Sequence, residues 1–434
     1  MGGATRDLRR WRRLLIWFGL AVACFQLFRA VHGAETRFIT NDGDWYYAYL
    51  VSLYFDHDLD LSNQMAAWQH LVGRPRLEIP AGKPTPTAFT VGPAVLWLPA
   101  FGLADLGVLA ARHAGAPVQR TGYSMPYQLA VALATLCYGL FGVWLALRAA
   151  LWWCGEESER ASQPALAAAT ALCASPGIYY LVFEPTMAHG LSIFTASLLV
   201  WLWLKTGLSG RWGRWAVVGL AGGLCALIRP QDGLLLLLPA SILLWSRPGA
   251  IPRLRRCCAA AAWVRGSALL AGAAVGFLPQ MLVWWATFGQ PLAVPQGPEF
   301  LLWARPALWQ VWFSPHHGLF TWTPVWLLGL AGLSASWRTR DRGAGMKPAL
   351  PIAVLVVFLL ESYLNAAARD WWAGDSYGAR RFVGMLPFLT LGLTTLACRL
   401  QRRRWGRFVT CPAAGLAIAA NLVLMAAYVT GRIA

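Results

Sequence analysis

Ionisable side chains are scarce in this chain, and their positions decide what chemistry it can do. The stretch Thr40–Asn63, TNDGDWYYAYLVSLYFDHDLDLSN, holds Asp42, Asp44, Asp56, Asp58 and Asp60, five of the 19 acids. Asp42 and Asp44 open an aromatic run of Trp45, Tyr46, Tyr47, Tyr49, Tyr54 and Phe55. A carboxylate within hydrogen-bond reach of a hydroxyl takes its proton as the oxygen attacks. The same carboxylate at a helix start serves as an N-cap. For Asp42 the pattern favours chemistry, and for Asp44 the two roles weigh equally. A further acid, Glu184, lies in YYLVFEPTMAHG beside Pro185 and just before His189. It is either a residue of the site or a cap of the following helix; for His189 a satisfied structural role is the simpler reading.

Cationic groups accompany these acids. Arg229 and Asp232 flank the turn IRPQDG, where they form either a local ion pair or, through Arg229, a phosphate contact. Arg380 and Arg381 end ARDWWAGDSYGARR, and paired guanidiniums suit a lipid phosphate. The alternative is headgroup anchoring or pairing with Asp370 and Asp375. Lys83 in AGKPTPT is a further phosphate ligand by type. His316 and His317 in SPHHG lack a third ligand at a local metal spacing.

The elements that must position these groups are membrane helices. Hydrophobic residues make up 57% of the 434 and charged residues 13%, and apolar runs near 20 residues recur along the chain. The expected fold is all-α, a polytopic bundle with about 11 crossings near 14–31, 126–148, 164–181, 188–204, 215–229, 233–246, 267–288, 319–336, 349–365, 382–398 and 408–430. It forms one membrane domain, with residues 32–125 as a first outer loop carrying interfacial helices and no separate soluble domain. The first run, Leu14–Ala30, exceeds a signal-peptide core and has no small-x-small cleavage site after it. The net charge of +18 comes from arginines in short loops, as membrane orientation demands, and does not call for nucleic acid. Basic runs at 6–13, 247–265, 338–347 and 399–407 fall on one, cytoplasmic side if the apolar stretch 88–111 is a hairpin or lies in the interface. The candidate residues then share the outer face. The nine cysteines, with Cys257 and Cys258 adjacent, show neither a metal spacing nor a disulfide framework.

The motifs DGDWYYAYLVSLYFDHDLDLSNQ, GKPTPTAFTVGPAVLWLPAF, EPTMAHGLSIF, RPQDG, SPHHGLFTWTP and WWAGDSYGARRF, in this order, resemble bacterial polytopic glycosyltransferases of the GT-C superfamily, in the branch related to protein O-mannosyltransferases and aminoarabinose transferases. The resemblance implies a GT-C-like bundle in the bacterial cytoplasmic membrane that takes a sugar from a polyprenyl-phosphate carrier. The acceptor is a lipid, glycan or protein on the outer face. It implies Asp42 as catalytic base, Glu184 as the acid of the second outer loop, and Lys83 as the lysine before the second apolar segment. Many relatives carry a second acid directly after the first; here Gly43 follows and Asp44 comes one place late. Arg229, His189, His317, Arg380 and Arg381 are the expected substrate contacts. Asp42, Asp44 and Glu184 are also compatible with a Mg²⁺ or Mn²⁺ ion, which single-displacement chemistry does not require. The competing readings are a lipid-linked saccharide flippase or transporter and an O-antigen polymerase or ligase.

Overall fold

The computed structural model describes residues 2–32, 37–74, 78–154, 162–207, 210–245, 252–336, 349–374, 377–403 and 405–433. Asp375, Arg160, Arg247 and the basic run 338–347 lie outside them, as do the side chains of Cys257 and Cys258. Among the described residues the chain is helical, with no β-strand and an isolated bridge between Leu301 and Ala368.

Helix α1 covers Gly2–His32. The first loop carries α2 (Gly43–Val51), which continues as a π-helical turn to Asp56, then α3 (Ser62–Val72) and α4 (Gly92–His113). Next come α5 (Met125–Cys154), α6 (Ser162–Cys173), α7 (Gly177–Val182), α8 (His189–Thr206) and α9 (Trp212–Ile228). After a 3₁₀ turn over Pro230–Leu236 follow α10 (Leu237–Trp245), α11 (Pro252–Phe288), α12 (Leu308–Phe313), α13 (Leu319–Trp322) and α14 (Val325–Ser336). The chain closes with α15 (Ala349–Ala367), a second 3₁₀ turn over Arg380–Met385, α16 (Leu386–Leu400) and α17 (Gly406–Val429).

Six of the described helical stretches are long and apolar enough to cross a membrane: Leu8–His32, Gly92–His113, Met125–Cys154, Ala260–Phe288, Arg380–Leu400 and Phe408–Val429. Large apolar side chains such as Trp17, Leu270 and Leu416 point outward from them, as lipid-facing surfaces require. The protein is a multi-pass membrane protein. Several expected crossings are divided rather than continuous. The run 164–181 breaks at Ser175–Pro176, where the Ser175 hydroxyl donates back to the Ala171 carbonyl at 2.6 Å and proline has no N–H to give. The run 319–336 breaks at Thr323–Pro324, where proline again has no N–H to give. Helices α9 and α11 meet backbone to backbone: a Cβ on Gly223 would strike the Ala273 carbonyl, and one on Gly276 the Leu220 carbonyl. Such small-residue faces let helices approach closely in lipid.

The stretch 88–111 is not a hairpin. It is the continuous helix α4, which accommodates Pro99 within it. It runs along the first part of α5, with Tyr138 donating to the Leu96 carbonyl, Trp97 to Thr135, and the Phe101 ring packed against Tyr127 at a tilt of 37°. Asp105 of α4 is buried and accepts hydrogen bonds from Arg120 (2.7 and 2.9 Å), Tyr127 (2.5 Å) and Tyr54 (3.1 Å). This pairing clamps α4 onto α2 and α5. The same α5 region, Thr135–Gly139, faces Leu181 and Gly190 next to the 182–189 turn. Helix α4 thus packs lengthwise on α5, and α2 with its π-helical turn is held against α4 through Tyr54.

Candidate active site

Residues 37–44 are threaded against the turn between α7 and α8. The Thr186 hydroxyl donates to the Phe38 carbonyl at 2.7 Å, and the Thr40 amide donates back to that hydroxyl at 3.4 Å. Gly43 lies so close that a Cβ there would collide with the Thr186 side chain. Packing thus excludes an acid directly after Asp42 and explains why the next carboxylate is Asp44. Asn41 adopts a left-handed conformation (φ 49°), tolerable for asparagine, and its amide donates to Glu184 Oε1 at 2.6 Å.

Asp42 occupies the N-cap position of α2 but makes no side-chain capping bond. Its carboxylate instead accepts from Arg380 Nη1 at 2.8 Å; the Asp42 side chain is 33% exposed and that of Arg380 12%. Arg380 sits at the start of the 3₁₀ turn leading into α16, so the pair joins positions 338 residues apart. Behind it, Arg229 ends α9 and donates to His189 Nδ1 (3.1 Å), Gln231 Oε1 (3.0 Å) and the Arg380 carbonyl (3.4 Å). Its expected ion pair with Asp232 does not form among the described residues: the extended backbone at Arg229 turns the side chain away, and Asp232 is buried against Gly384. His189 is buried, with its Nδ1 satisfied by Arg229 and its ring against Tyr180. Gln231 in turn donates to Glu361 Oε1 (2.5 Å) and to the Arg381 carbonyl (2.9 Å). Arg381 pairs with Asp370 at 2.8 Å. His317 donates from Nδ1 to the Trp372 carbonyl at 3.0 Å and lines a small cleft with Arg380 and Arg381.

Asp44 and Glu184 face the other way. They line an open cavity of about 810 Å³ together with Arg29, Arg37, Asn41 and Arg74. Glu184 is buried, and desolvation raises its carboxyl from 4.5 to about 7 against the opposing pull of Arg380. It does not cap α8, whose N-cap is Ala188 with no side-chain bond. Desolvation likewise lifts Asp44 to about 6, offset by the Trp45 amide at 2.8 Å and by Arg74 at 3.9 Å.

Asp42, Glu184, His189, Arg229, His317, Arg380 and Arg381 are thus gathered at one end of the bundle. Lys83 is the exception. It is exposed, on a strap fixed by Asp60 accepting from the Gly82 amide (2.5 Å) and by the Thr85 amide donating to the Leu59 carbonyl (2.9 Å). Among the described residues no hydrogen bond or ion pair brings it to the other groups. Asp42 pairs with Arg380, Asp44 lies 3.9 Å from Arg74, and Glu184 accepts from Asn41. Among the described residues no group of three or more His, Cys, Asp or Glu could hold a metal ion. Asn41, Gln231, Glu361, Arg29, Arg37 and Arg74 are not singled out as site residues by the sequence; only Glu361, an acid inside an apolar run, stands out in it.

No family model matches the chain, and no curated protein does. Solved structures do. ArnT from Cupriavidus metallidurans, bound to undecaprenyl phosphate, superposes with a TM-score of 0.53 at 16% identity, over 92% of this chain and 62% of that one. The apo form of the same protein matches with a TM-score of 0.49 at 16% identity over the same shares. The oligosaccharyltransferase of Archaeoglobus fulgidus matches with 0.48 at 12% identity, over 95% of this chain and 54% of that one. The chain spans about 62% of the length of ArnT. The likeness to ArnT shows a shared fold, in agreement with the fold that the motif resemblance implies.

Proposed function

We propose that this protein is a membrane glycosyltransferase that moves a sugar from a polyprenyl-phosphate carrier to a hydroxyl or amine of an acceptor. The observation that carries this reading is the Asp42 carboxylate. It is spent on no helix cap, is a third exposed, and is aimed by Arg380 at the edge of a basic cluster of Arg229, Arg380 and Arg381. The fold shared with an ArnT that binds undecaprenyl phosphate adds support.

In the proposed reaction the acceptor oxygen or nitrogen attacks the anomeric carbon. Its proton passes to Asp42 as the new bond forms. The bond from carbon to the lipid phosphate breaks with both electrons leaving on the phosphate, which inverts the anomeric centre. Arg229 and Arg381, held in place by His189, Gln231 and Asp370, receive the phosphate charge. His317 fills the adjoining cleft. Asp44 and Glu184 face the acceptor side. Lys83 meets the donor lipid at the outer strap. Because the phosphate is already a good leaving group, a second carboxylic acid of the glycosidase kind is not needed. The site lies on the outer face of a bacterial cytoplasmic membrane.

The test uses purified protein with radiolabelled undecaprenyl-phosphate sugar and an envelope extract as acceptor source. Transfer of label in detergent, where there are no leaflets, supports the enzyme. Movement of the lipid between leaflets of proteoliposomes without any transfer refutes it in favour of a flippase.

A further inference from the structure

Cys154 and Cys398 stand 244 positions apart, so no local spacing pairs them. The fold does: their Sγ atoms lie 3.8 Å apart. Cys154 is the last residue of α5, and Cys398 lies just before Leu400, which ends α16. Both helices run away from the candidate active site. Gln128 near the start of α5 accepts from the Phe38 amide at 3.1 Å, and α16 follows directly on the turn that begins with Arg380. From Leu386 to Cys398 is about 18 Å along the α16 axis. The sulfur pair is therefore remote from Asp42 and takes no part in the proposed transfer. Both cysteines are half-buried thiols.

The seam around them fixes how the two helices meet. Trp153, next to Cys154, donates from Nε1 to Thr395 Oγ1 at 3.1 Å, and that hydroxyl donates in turn to the Leu391 carbonyl at 2.9 Å. Thr395 and Cys398 are three residues apart on α16 and share a face. The Trp153 bond thus sets the offset of α5 against α16 at the point where the sulfurs touch. On its other side α16 is clasped by α14: a Cβ on Gly332 would strike the Gly392 carbonyl, and one on Gly392 the Gly329 carbonyl. Neither helix can slide without breaking these contacts. An S–S bond is about 2 Å long, so less than about 2 Å of movement, shared by two side chains, closes the gap. A thiol also packs as a small apolar group, and the pair would then be filling with no redox role.

We propose that Cys154 and Cys398 form an oxidisable pair that closes to a disulfide when a peroxide reaches it, tying the far ends of α5 and α16 together. One thiolate attacks a peroxide oxygen; the O–O bond breaks, and a sulfenic acid and, after protonation, one water result. The second sulfur attacks the sulfenic sulfur; the S–S bond forms, the S–O bond breaks, and the oxygen leaves as a second water. Two thiols lose two electrons and one peroxide gains them. A dithiol reverses the step by exchange. On the reading that the basic runs, 399–407 among them, face the cytoplasm, this end lies where thiols are kept reduced, and the link is a transient response to oxidant.

The test treats full-length protein in nanodiscs with hydrogen peroxide, blocks remaining thiols with N-ethylmaleimide, and maps the peptides by mass spectrometry without reductant. Wild type should give a peptide joining Cys154 to Cys398, lost after dithiothreitol. Oxidation should raise the unfolding midpoint by about 5 °C or more. Cys398→Ser should lose both the link and the rise while unfolding close to reduced wild type; Cys154→Ser is the second variant should the first not fold. The proposal is overturned if peroxide leaves both residues as separate maleimide adducts, if either pairs instead with another cysteine, or if the link forms without raising the midpoint. It is overturned equally if protein unfolded in guanidinium before oxidation yields as much of this link as the folded protein, since the fold would then not set the pair.

Discussion

Asp42→Asn separates the roles this side chain can play. As a helix cap, asparagine serves about as well as aspartate, and the observed side chain makes no capping bond to lose. As an ion-pair partner, Asp42 supports Arg380 at 2.8 Å with a third of its own surface in solvent. An asparagine oxygen still accepts that bond without the charge. For a pair this open the expected cost to folding is about 1 kcal/mol or less. As a base, the amide cannot take a proton, and turnover should fall about 10²–10⁴-fold. The structure therefore predicts a large kinetic loss beside a small stability loss. The assay follows release of undecaprenyl phosphate from its labelled sugar ester, with the unfolding midpoint measured on the same preparation. Asp44→Asn and Glu184→Gln run in parallel. Full turnover by Asp42→Asn would refute the assignment of the base and move it to Asp44 or Glu184. Full turnover by all three would refute carboxylate catalysis altogether.

Glu184 should leave a signature in stability against pH. Its folded carboxyl is raised from 4.5 to about 7, so between those values the folded state holds more proton than the unfolded one, and stability falls as pH rises. That contribution is complete below about 4.5 and gone above about 7; thermal unfolding from pH 4.5 to 8 should show the decline, and Glu184→Gln should flatten it by up to about 3 kcal/mol. Arg229→Ala removes a donor fixed by His189 and Gln231, and should weaken undecaprenyl phosphate by about 1.5–3 kcal/mol in direct titration. Lys83→Ala should weaken donor use as well, and an undiminished affinity would confine the phosphate site to the arginine cluster. Asp105→Ala strands the hydroxyls of Tyr54 and Tyr127 and frees Arg120, which is 38% exposed, and should cost about 1–3 kcal/mol in unfolding measurements, as leaving a buried hydrogen-bonding group unsatisfied does; a loss below about 0.5 kcal/mol would show that α4 is held by its apolar contacts alone.

The helices were legible because apolar runs fix them locally: the start of α5 and both ends of α8, α9 and α17 fall within three residues of the expected spans, while α5 runs six residues further, to Cys154. The breaks at Pro176 and Pro324 were not, because apolar composition continues through them. The continuity of α4 was hidden for another reason: the sides assigned to the basic loops pointed to a hairpin or an interfacial piece at 88–111, and only its packing on α5 shows one continuous helix. At the site, residue types were legible and pairings were not. Nothing local in DGDW says that Asp42 meets Arg380, or that Arg229 prefers His189 to Asp232, since these contacts close over 338 and 40 residues. Arg29, Arg37 and Arg74 read in sequence as flanking charge, and only the folded cavity sets them apart.

The buried carboxylate of Glu361 bears on the choice between transferase and transporter. A transporter holds ionisable groups near the bilayer midplane, where broken helices open a path. This chain has both a carboxylate inside α15 and interrupted helices. Glu361, however, lies six residues from the Ala367 end of α15, about 9 Å along its axis, and it is tied to Gln231. Gln231 also holds Arg229 and the Arg381 carbonyl. The interruptions gather at the same end: the 182–189 turn meets residues 38–43, and the 3₁₀ turn from Arg380 supplies the partner of Asp42. Glu361 thus fixes the backbone and side chains of the basic cluster from below. Glu361 therefore acts through Gln231 on the placement of Arg229 and of the Arg381 backbone at one end of the bundle, where a site that binds an anion needs its guanidiniums held.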